Sequence, residues 1–437
     1  MYEQITTELL HFLQKSPTCY HVIANLRAEL NKAGYTELCE GGAWTLNEGG
    51  KYFVARNESS LIAFRIPGKD FTGYQIAAAH SDSPSFKIKE NPEMEAEKAY
   101  VKLNVEKYGG MICAPWLDRP LSVAGRLIVR QGDRFVTKLV DVDRDFVMIP
   151  NLAIHMNRTV NDGYKFNPQV DMLPLLGDFE SKGMFMDLIA ESAGVKKEDV
   201  AGSDLFLYSR TPGTVWGAHN EFLSAGHLDD LECGYANFRG FLDAKENKNS
   251  VPVYAIFDNE EVGSGTKQGA DSTFLADTLE RIGVSCGRTA EQNRTAVASS
   301  FMISADNAHA VHPNHTDAAD PVNRPLMNKG IVIKYNANQK YTTDSVSAAV
   351  FKTVCEKAGV PVQEFTNRSD MAGGSTLGNI SNAHVSLNTV DVGLAQLAMH
   401  SPYETAGTKD PAYLAQAMQV FFSLALKDEG QGSYSLR

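Results

Sequence analysis

Four apolar runs in this 437-residue chain end abruptly in carboxylate or imidazole residues. Tyr74 to Ala79 leads into His80 and Asp82, and Val251 to Phe257 leads into Asp258, Glu260 and Glu261. Ser300 to Ser304 is followed by Asp306, His309 and His312, and Val385 to Val390 by Asp391 and then His400. Short apolar runs bounded by polar breaks read as buried strands. Helical patterns lie between them. Thr343 opens one with Val346, Val350 and Val354 on a single face, closed by Gly359, and Asp410-Pro411 opens another, with Asp as cap and Pro in the first turn. This alternation predicts an α/β fold with a mixed, mostly parallel sheet sandwiched by helices. In such an open sheet the carboxyl ends of neighbouring strands lie side by side, so these acids and histidines converge in one crevice.

The texture changes in the middle of the chain. The first 35 residues read as helical, with Val22, Ile23, Leu26 and Leu30 in register and Gly34 as a stop. Strand-like Tyr52 to Ala55 and Leu61 to Phe64 follow. Farther on, Gly125 to Val129 and Phe135 to Val140 flank the turn Gln131-Gly132-Asp133, which reads as a hairpin. The predicted division is 1–92 for the first part of a catalytic domain, 93–212 for an inserted β-rich domain, and 213–437 for the remainder.

Several carboxylates gathered in one crevice raise one another's pKa, and a divalent cation is the simplest way to keep them ionised. Carboxylates alone suit magnesium or calcium. Adding imidazoles shifts the choice to zinc, with manganese or cobalt also compatible. Five ligands exceed one open tetrahedral site and fit two metals about 3.5–4 Å apart sharing a bridging carboxylate.

Composition narrows the partners. Lys and Arg number 41 against 53 Asp and Glu, a net charge of −12, which excludes a general nucleic-acid binder. No apolar run reaches the roughly 18–20 residues that span a bilayer. The six cysteines are scattered without a C-x-x-C pair, and the N-terminus lacks a signal-peptide pattern, so a cytoplasmic protein with reduced thiols is expected.

The segments Ala79-His80-Ser81-Asp82-Ser83-Pro84, Phe257-Asp258-Asn259-Glu260-Glu261-Val262-Gly263-Ser264, Ser304-Ala305-Asp306-Asn307-Ala308-His309 and Met399-His400-Ser401 resemble the aspartyl aminopeptidase family. The likeness runs over nearly the whole chain. It implies a dinuclear zinc exopeptidase fold with an inserted dimerisation domain. By that resemblance His80 and Asp306 hold one zinc, Glu261 and His400 the other, and Asp229 bridges them. Asp82 orients His80, and Glu260 is the general base that takes a proton from the attacking water and delivers it to the leaving amine. The resemblance also implies substrate contacts from His309, Lys334 and Tyr341, and from His155 of a neighbouring subunit in a dodecamer built from dimers. The expected substrates are short peptides beginning with Asp or Glu, with Lys334 facing the acidic side chain.

Two departures stand out. His227-Leu228-Asp229-Asp230 replaces the family's Arg-Leu-Asp-Asn, so Asp230 adds a carboxylate beside the bridging position. Ala372-Gly373-Gly374-Ser375-Thr376 replaces a segment that usually carries Cys. Lys334 has a second reading, as an edge-strand charge that deters aggregation. Gly263-Ser264-Gly265-Thr266-Lys267 lacks the ending of a phosphate loop, and the chain has no His-Glu-x-x-His helix. The competing functional readings are a metallo-aminopeptidase of broad specificity and a metal-bound peptide-binding scaffold without turnover.

Overall fold

The computed structural model describes residues 2–437. Its largest sheet has nine strands, in the spatial order Thr36–Leu38, Lys51–Arg56, Ser60–Arg65, Ser250–Phe257, Gly73–His80, Phe301–Ala305, Asn388–Gly393, Ile331–Lys334 and Val362–Phe365. The four strands from Ser250–Phe257 to Asn388–Gly393 run parallel. Antiparallel pairs occur only toward the flanks. The expected mixed, mostly parallel sheet is present.

Period-two alternation along these strands builds two cores. Ala77, Tyr254, Ile256 and Ile303 face the helices Tyr2–Gln14, Cys19–Lys32, Leu228–Asp243, Ser345–Ala358 and Asp410–Phe421. Ile76, Ala78, Val253 and Ala255 face Phe274–Ser285 and Ala290–Ala298. Strands buried on both faces read as continuous apolar runs, which is why they were legible. Each fully buried large aliphatic or aromatic side chain contributes about 1.5–3 kcal/mol. Gly240 lets two helices meet, because a Cβ there would lie 2.3 Å from Met418 Cβ and 2.7 Å from the Ala415 carbonyl oxygen.

Some local expectations shift. The helical N-terminus is two helices broken at Ser16-Pro17-Thr18, where proline cannot continue the hydrogen-bond ladder. The strand expected from Val385 begins at Asn388, and Val385 packs into the second core from a turn. Asp410 lies inside its helix rather than capping it. Its carboxylate accepts the backbone N–H groups of Asn328 and Gly330. Ile331–Lys334 has a neighbour on both sides and is buried throughout, so Lys334 is not an edge-strand charge.

A second sheet is antiparallel throughout, in the order Arg134–Asp141, Leu121–Gln131, Val200–Ser209, Ser85–Ala96, Tyr100–Tyr108 and Leu175–Asp178. The expected hairpin forms its edge. This sheet has its own core around Phe86, Trp116, Leu127 and Phe185. Its strand Ser85–Ala96 runs straight out of the loop after His80 and passes through residue 93, so the compositional change falls in mid-strand where burial ends. A small third sheet is formed by Thr214–Trp216, Phe222–Ala225, Glu404–Gly407, Ala395–Leu397 and Ala308–His309, all later in the chain than the second sheet. Among the described residues, no helix is long and apolar enough to cross a membrane.

Candidate metal centre

His80 ends its strand directly opposite Phe257, the last residue of the neighbouring strand, and Ser304 pairs with both Ala78 and Asp391. Parallel register thus brings the loops carrying Asp82, Glu260, Glu261 and Asp306 to one edge of the sheet. Asp229 enters from the first turn of Leu228–Asp243, in a non-helical conformation (φ −81°, ψ 106°). A helix N-terminus favours carboxylates there. His400 arrives on the loop that joins two strands of the third sheet, Ala395–Leu397 and Glu404–Gly407.

The parts meet closely. Asp229 Oδ1 lies 3.4 Å from His80 Nε2, and Asp229 Oδ2 lies 3.4 Å from His400 Nε2. Glu261 Oε2 is 3.5 Å from His400 Nε2. Ligand atoms of His80, Asp229 and Glu261 all fall within 4.8 Å of one another, as do those of Asp229, Asp230 and Asp306. Asp229 belongs to both triads. Three non-glycine residues in the left-handed region, His227, Asn259 and His400, lie in or beside the cluster, where such strained conformations tend to gather.

Each histidine is oriented by a carbonyl. His80 Nδ1 lies 3.0 Å from the Asp82 backbone oxygen and 3.5 Å from its carboxylate, and His400 Nδ1 lies 2.7 Å from the Gly110 oxygen. A proton on each Nδ1 leaves both Nε2 lone pairs facing inward. The Asp82 carboxylate accepts the backbone N–H groups of Glu260 and Glu261, each at 3.1 Å. Those bonds fix the turn from which Glu260 projects.

Without metal the cluster holds protons. Burial, reinforced by Asp306, Asp82 and Asp229, pushes Glu260 up to about 8. Glu261 and Asp230 are also raised, first by burial and then by neighbouring carboxylates. Burial works against the charge on His400, but Asp229 and Glu261 outweigh it and hold the imidazole at about 10. Buried Asp229 Oδ1, Asp230 Oδ1 and Glu261 Oε1 have no hydrogen-bond partner. Unanswered buried carboxylate oxygens are costly, and a divalent cation satisfies them together. The imidazole and carboxylate donors match zinc. The residues fit the metal.

Three of the expected substrate residues gather beside this centre. The rings of His309 and Tyr341 lie 6.0 and 6.3 Å from that of Phe365, and Lys334 Nζ stands 5.2 Å from the Tyr341 ring centre. Lys334 is buried, donating to the Asp306 and Asn307 carbonyls at 2.8 and 3.3 Å, with its charge 3.7 Å from Asp306 Oδ1. His155 lies apart, in an exposed loop that follows the strand Arg134–Asp141.

Sequence reasoning missed two supporting residues. Buried Glu404 accepts the backbone N–H of Asp229 at 3.0 Å and that of His400 at 2.8 Å, one on each oxygen. Tyr108 hydrogen-bonds Asp82 Oδ2 at 2.7 Å. The only signal for Glu404 was an acid four residues beyond His400. Nothing marked Tyr108. Asp230, an ambiguity in the sequence, accepts the His80 backbone N–H at 3.1 Å, whereas Asp229 stands between the two imidazoles.

Residues 12–422 match the aminopeptidase I zinc metalloprotease (M18) family. The chain belongs to that family. It is 48% identical over 430 residues to the probable M18 family aminopeptidase 2 of Clostridium acetobutylicum, covering 96% of this chain and 99% of that one. Its likeness to the enzyme of the same name from Pseudomonas paraeruginosa is 39% over 434 residues, covering 97% and 99%. Among solved structures, Chaetomium thermophilum mApe1 superposes with a TM-score of 0.87 at 32% identity, over 97% of this chain and 98% of that one. The S. cerevisiae mApe1 dodecamer gives 0.84 at 28%, over 96% and 97%. As an M18 aminopeptidase this chain is a hydrolase and a zinc metallopeptidase.

Proposed function

We propose that this M18 aminopeptidase removes an N-terminal Asp or Glu from short peptides, using two zinc ions and Glu260 as the proton carrier. The sharing of Asp229 between two ligand triads supports a two-metal site. His80 and Asp306 serve one cation, Glu261 and His400 the other, and Asp229 both. The chemistry that metal ions held by these residues would supply is polarisation of the scissile carbonyl and a water made nucleophilic at neutral pH. Glu260 takes the proton of the attacking water and passes it to the departing amine. Glu261, its neighbour, reaches to 3.5 Å from His400, so in this reading one turn supplies both a ligand and a base. Asp82 holds that turn through its amides.

The cluster of Lys334, His309 and Tyr341 supports acidic selectivity. Lys334 donates to the Asp306 and Asn307 carbonyls and faces the Asp306 carboxylate at 3.7 Å, and in this reading its cation also draws the carboxylate of the substrate's first residue.

We place the protein in the cytoplasm as a homo-oligomer, a dodecamer built from dimers. Six unpaired cysteines fit a reducing compartment. Exposed Leu152, Ile154 and Met156 alternate along one loop and give it apolar side chains suited to self-association. His155 stands within that row, placed to enter a neighbour's site.

The test is a panel of Asp-, Leu- and Lys-anilides with Glu260→Gln and Lys334→Met. Glu260→Gln abolishes hydrolysis while two zinc ions per chain remain, and Lys334→Met loses the Asp-over-Leu ratio about tenfold or more. Equal kcat/KM for all three substrates on the unaltered enzyme contradicts acidic selectivity. Full activity in Glu260→Gln contradicts its role.

A further inference from the structure

The strand Tyr100–Tyr108 belongs to the inserted sheet, yet the chain leaving it runs along the metal centre. Tyr108 keeps its ring with the inserted unit, edge-on to Phe206 at 5.6 Å, while its hydroxyl reaches the catalytic loops. The hydroxyl donates to Asp82 Oδ2 at 2.7 Å and accepts from Asn259 Nδ2 at 2.9 Å. Asp82 Oδ2 is also the oxygen that accepts the Glu261 amide, and Oδ1 accepts the Glu260 amide. The next residue, Gly109, has φ +77°, and a Cβ there would lie 3.2 Å from Glu261 Cβ. Its successor, Gly110, supplies the carbonyl that orients His400. Three consecutive residues thus touch the supports of the base, one ligand itself, and the orienting nitrogen of another.

We propose that Tyr108-Gly109-Gly110 is a positioning clamp through which the inserted sheet sets the geometry of its own chain's catalytic centre. Tyr108 is its positioning residue, acting on Glu260 and Glu261 through Asp82. The proposal rests on the two-metal aminopeptidase reading above.

A structural account is open to Tyr108, since a phenol between two domains can simply join them. The bond pattern favours positioning. Its hydroxyl engages only Asp82 and Asn259, and both of these carry the Glu260 turn: Asp82 by accepting its amides, Asn259 by preceding it in the left-handed conformation (φ +62°). Removing the hydroxyl leaves the ring packed on Phe206 and frees Asp82 to rotate away from the two amides. Substrate binding is left alone, whereas the approach of Glu260 to the water and of Glu261 to its metal changes. An interaction realised in the transition state lowers kcat and leaves KM in place. Outer-shell changes of this kind typically cost about 10–100-fold.

The experiment uses Tyr108→Phe in the full-length protein, with Tyr20→Phe as the control. Tyr20 is a phenol near the same domain junction, stacked under Arg126. Three quantities are read: kcat and KM on Asp-anilide, metal ions per chain, and the visible absorption spectrum of the cobalt-substituted protein. The proposal expects Tyr108→Phe to lose about tenfold or more in kcat with KM within about twofold. Two metals per chain should remain, with shifted cobalt bands. Tyr20→Phe should match the unaltered protein in all three. Unchanged kcat and cobalt bands in Tyr108→Phe overturn the proposal, as does an equal loss in Tyr20→Phe. If Tyr108→Phe fails to fold, Asn259→Gly, which keeps the left-handed turn but deletes both the amide on the Tyr108 hydroxyl and the oxygen that accepts from Thr266 and Gln268, is compared with Gln268→Ala. A kcat loss and band shift in the first and not in the second is expected, and their absence from the first, or an equal loss in the second, overturns the proposal. An unaltered protein inactive on every anilide removes the aminopeptidase reading instead, and the cobalt bands then decide the clamp alone.

Discussion

Asp229 offers His80 and His400 one carboxylate oxygen each, at the same 3.4 Å. Its position depends on a second carboxylate. Glu404 grips the amides of Asp229 and His400 with its two oxygens, so the proposed bridging carboxylate and one proposed ligand are held by a single buried side chain. Glutamine has only one accepting oxygen on its amide. We therefore expect Glu404→Gln to weaken zinc binding about 10–100-fold, measured by chelator competition. A loss of stability of about 1–3 kcal/mol should accompany it in denaturant melts, because one backbone amide is left buried and unpaired.

The raised carboxyls make a pH prediction of definite sign. In the metal-free protein Glu260 and Glu404 titrate at about 8, and Asp258 and Asp410 at about 7, chiefly through burial. The same groups titrate near about 4 in the unfolded chain. Between those values the folded state binds more protons, so stability falls as pH rises through this window. His400, raised to about 10, loses its contribution in the same direction above about 6.5. Chelator-treated protein should therefore melt at a lower temperature at pH 8 than at pH 5.5. Zinc displaces the protons held by its ligands, Glu261 and His400 among them, so the gap in melting temperature between loaded and stripped protein should widen with pH. A stripped protein more stable at pH 8 would contradict the protonated cluster.

The apolar row on the inserted unit gives a third prediction. Ile154→Asp places a charge among side chains that are exposed in the single chain and buried in the proposed assembly. Sedimentation should show smaller particles with unchanged secondary structure and a lower melting temperature, because subunit association stabilises the folded chain. Activity should fall with assembly, because His155 no longer enters a neighbour's site, and His155→Ala should lose activity without losing assembly. Small particles with full activity would remove the shared site.

Legibility in the sequence followed chemistry. His80, Asp82, Glu260, Glu261, Asp306 and His400 were visible because their side chains sit where apolar runs stop, and the sheet's register brings such ends together. Asp229 was not visible that way. It follows no strand of that sheet, and only the family pattern singled it out from Asp230. Glu404 and Gly110 escaped because they act on or through backbone groups, for which sequence carries no signature. Tyr108 escaped because it looks like any strand-end aromatic. The Val385 boundary failed because an apolar run reports burial, and a turn packed on the core buries valine as well as a strand does.

The central claim is a pair of cations astride Asp229. Crystals grown with zinc and measured on both sides of its absorption edge test it directly. The account predicts two anomalous peaks per chain about 3.5–4 Å apart, one beside His80 and Asp306, the other beside Glu261 and His400, with Asp229 between them. A single peak, or two peaks that do not share Asp229, would contradict it.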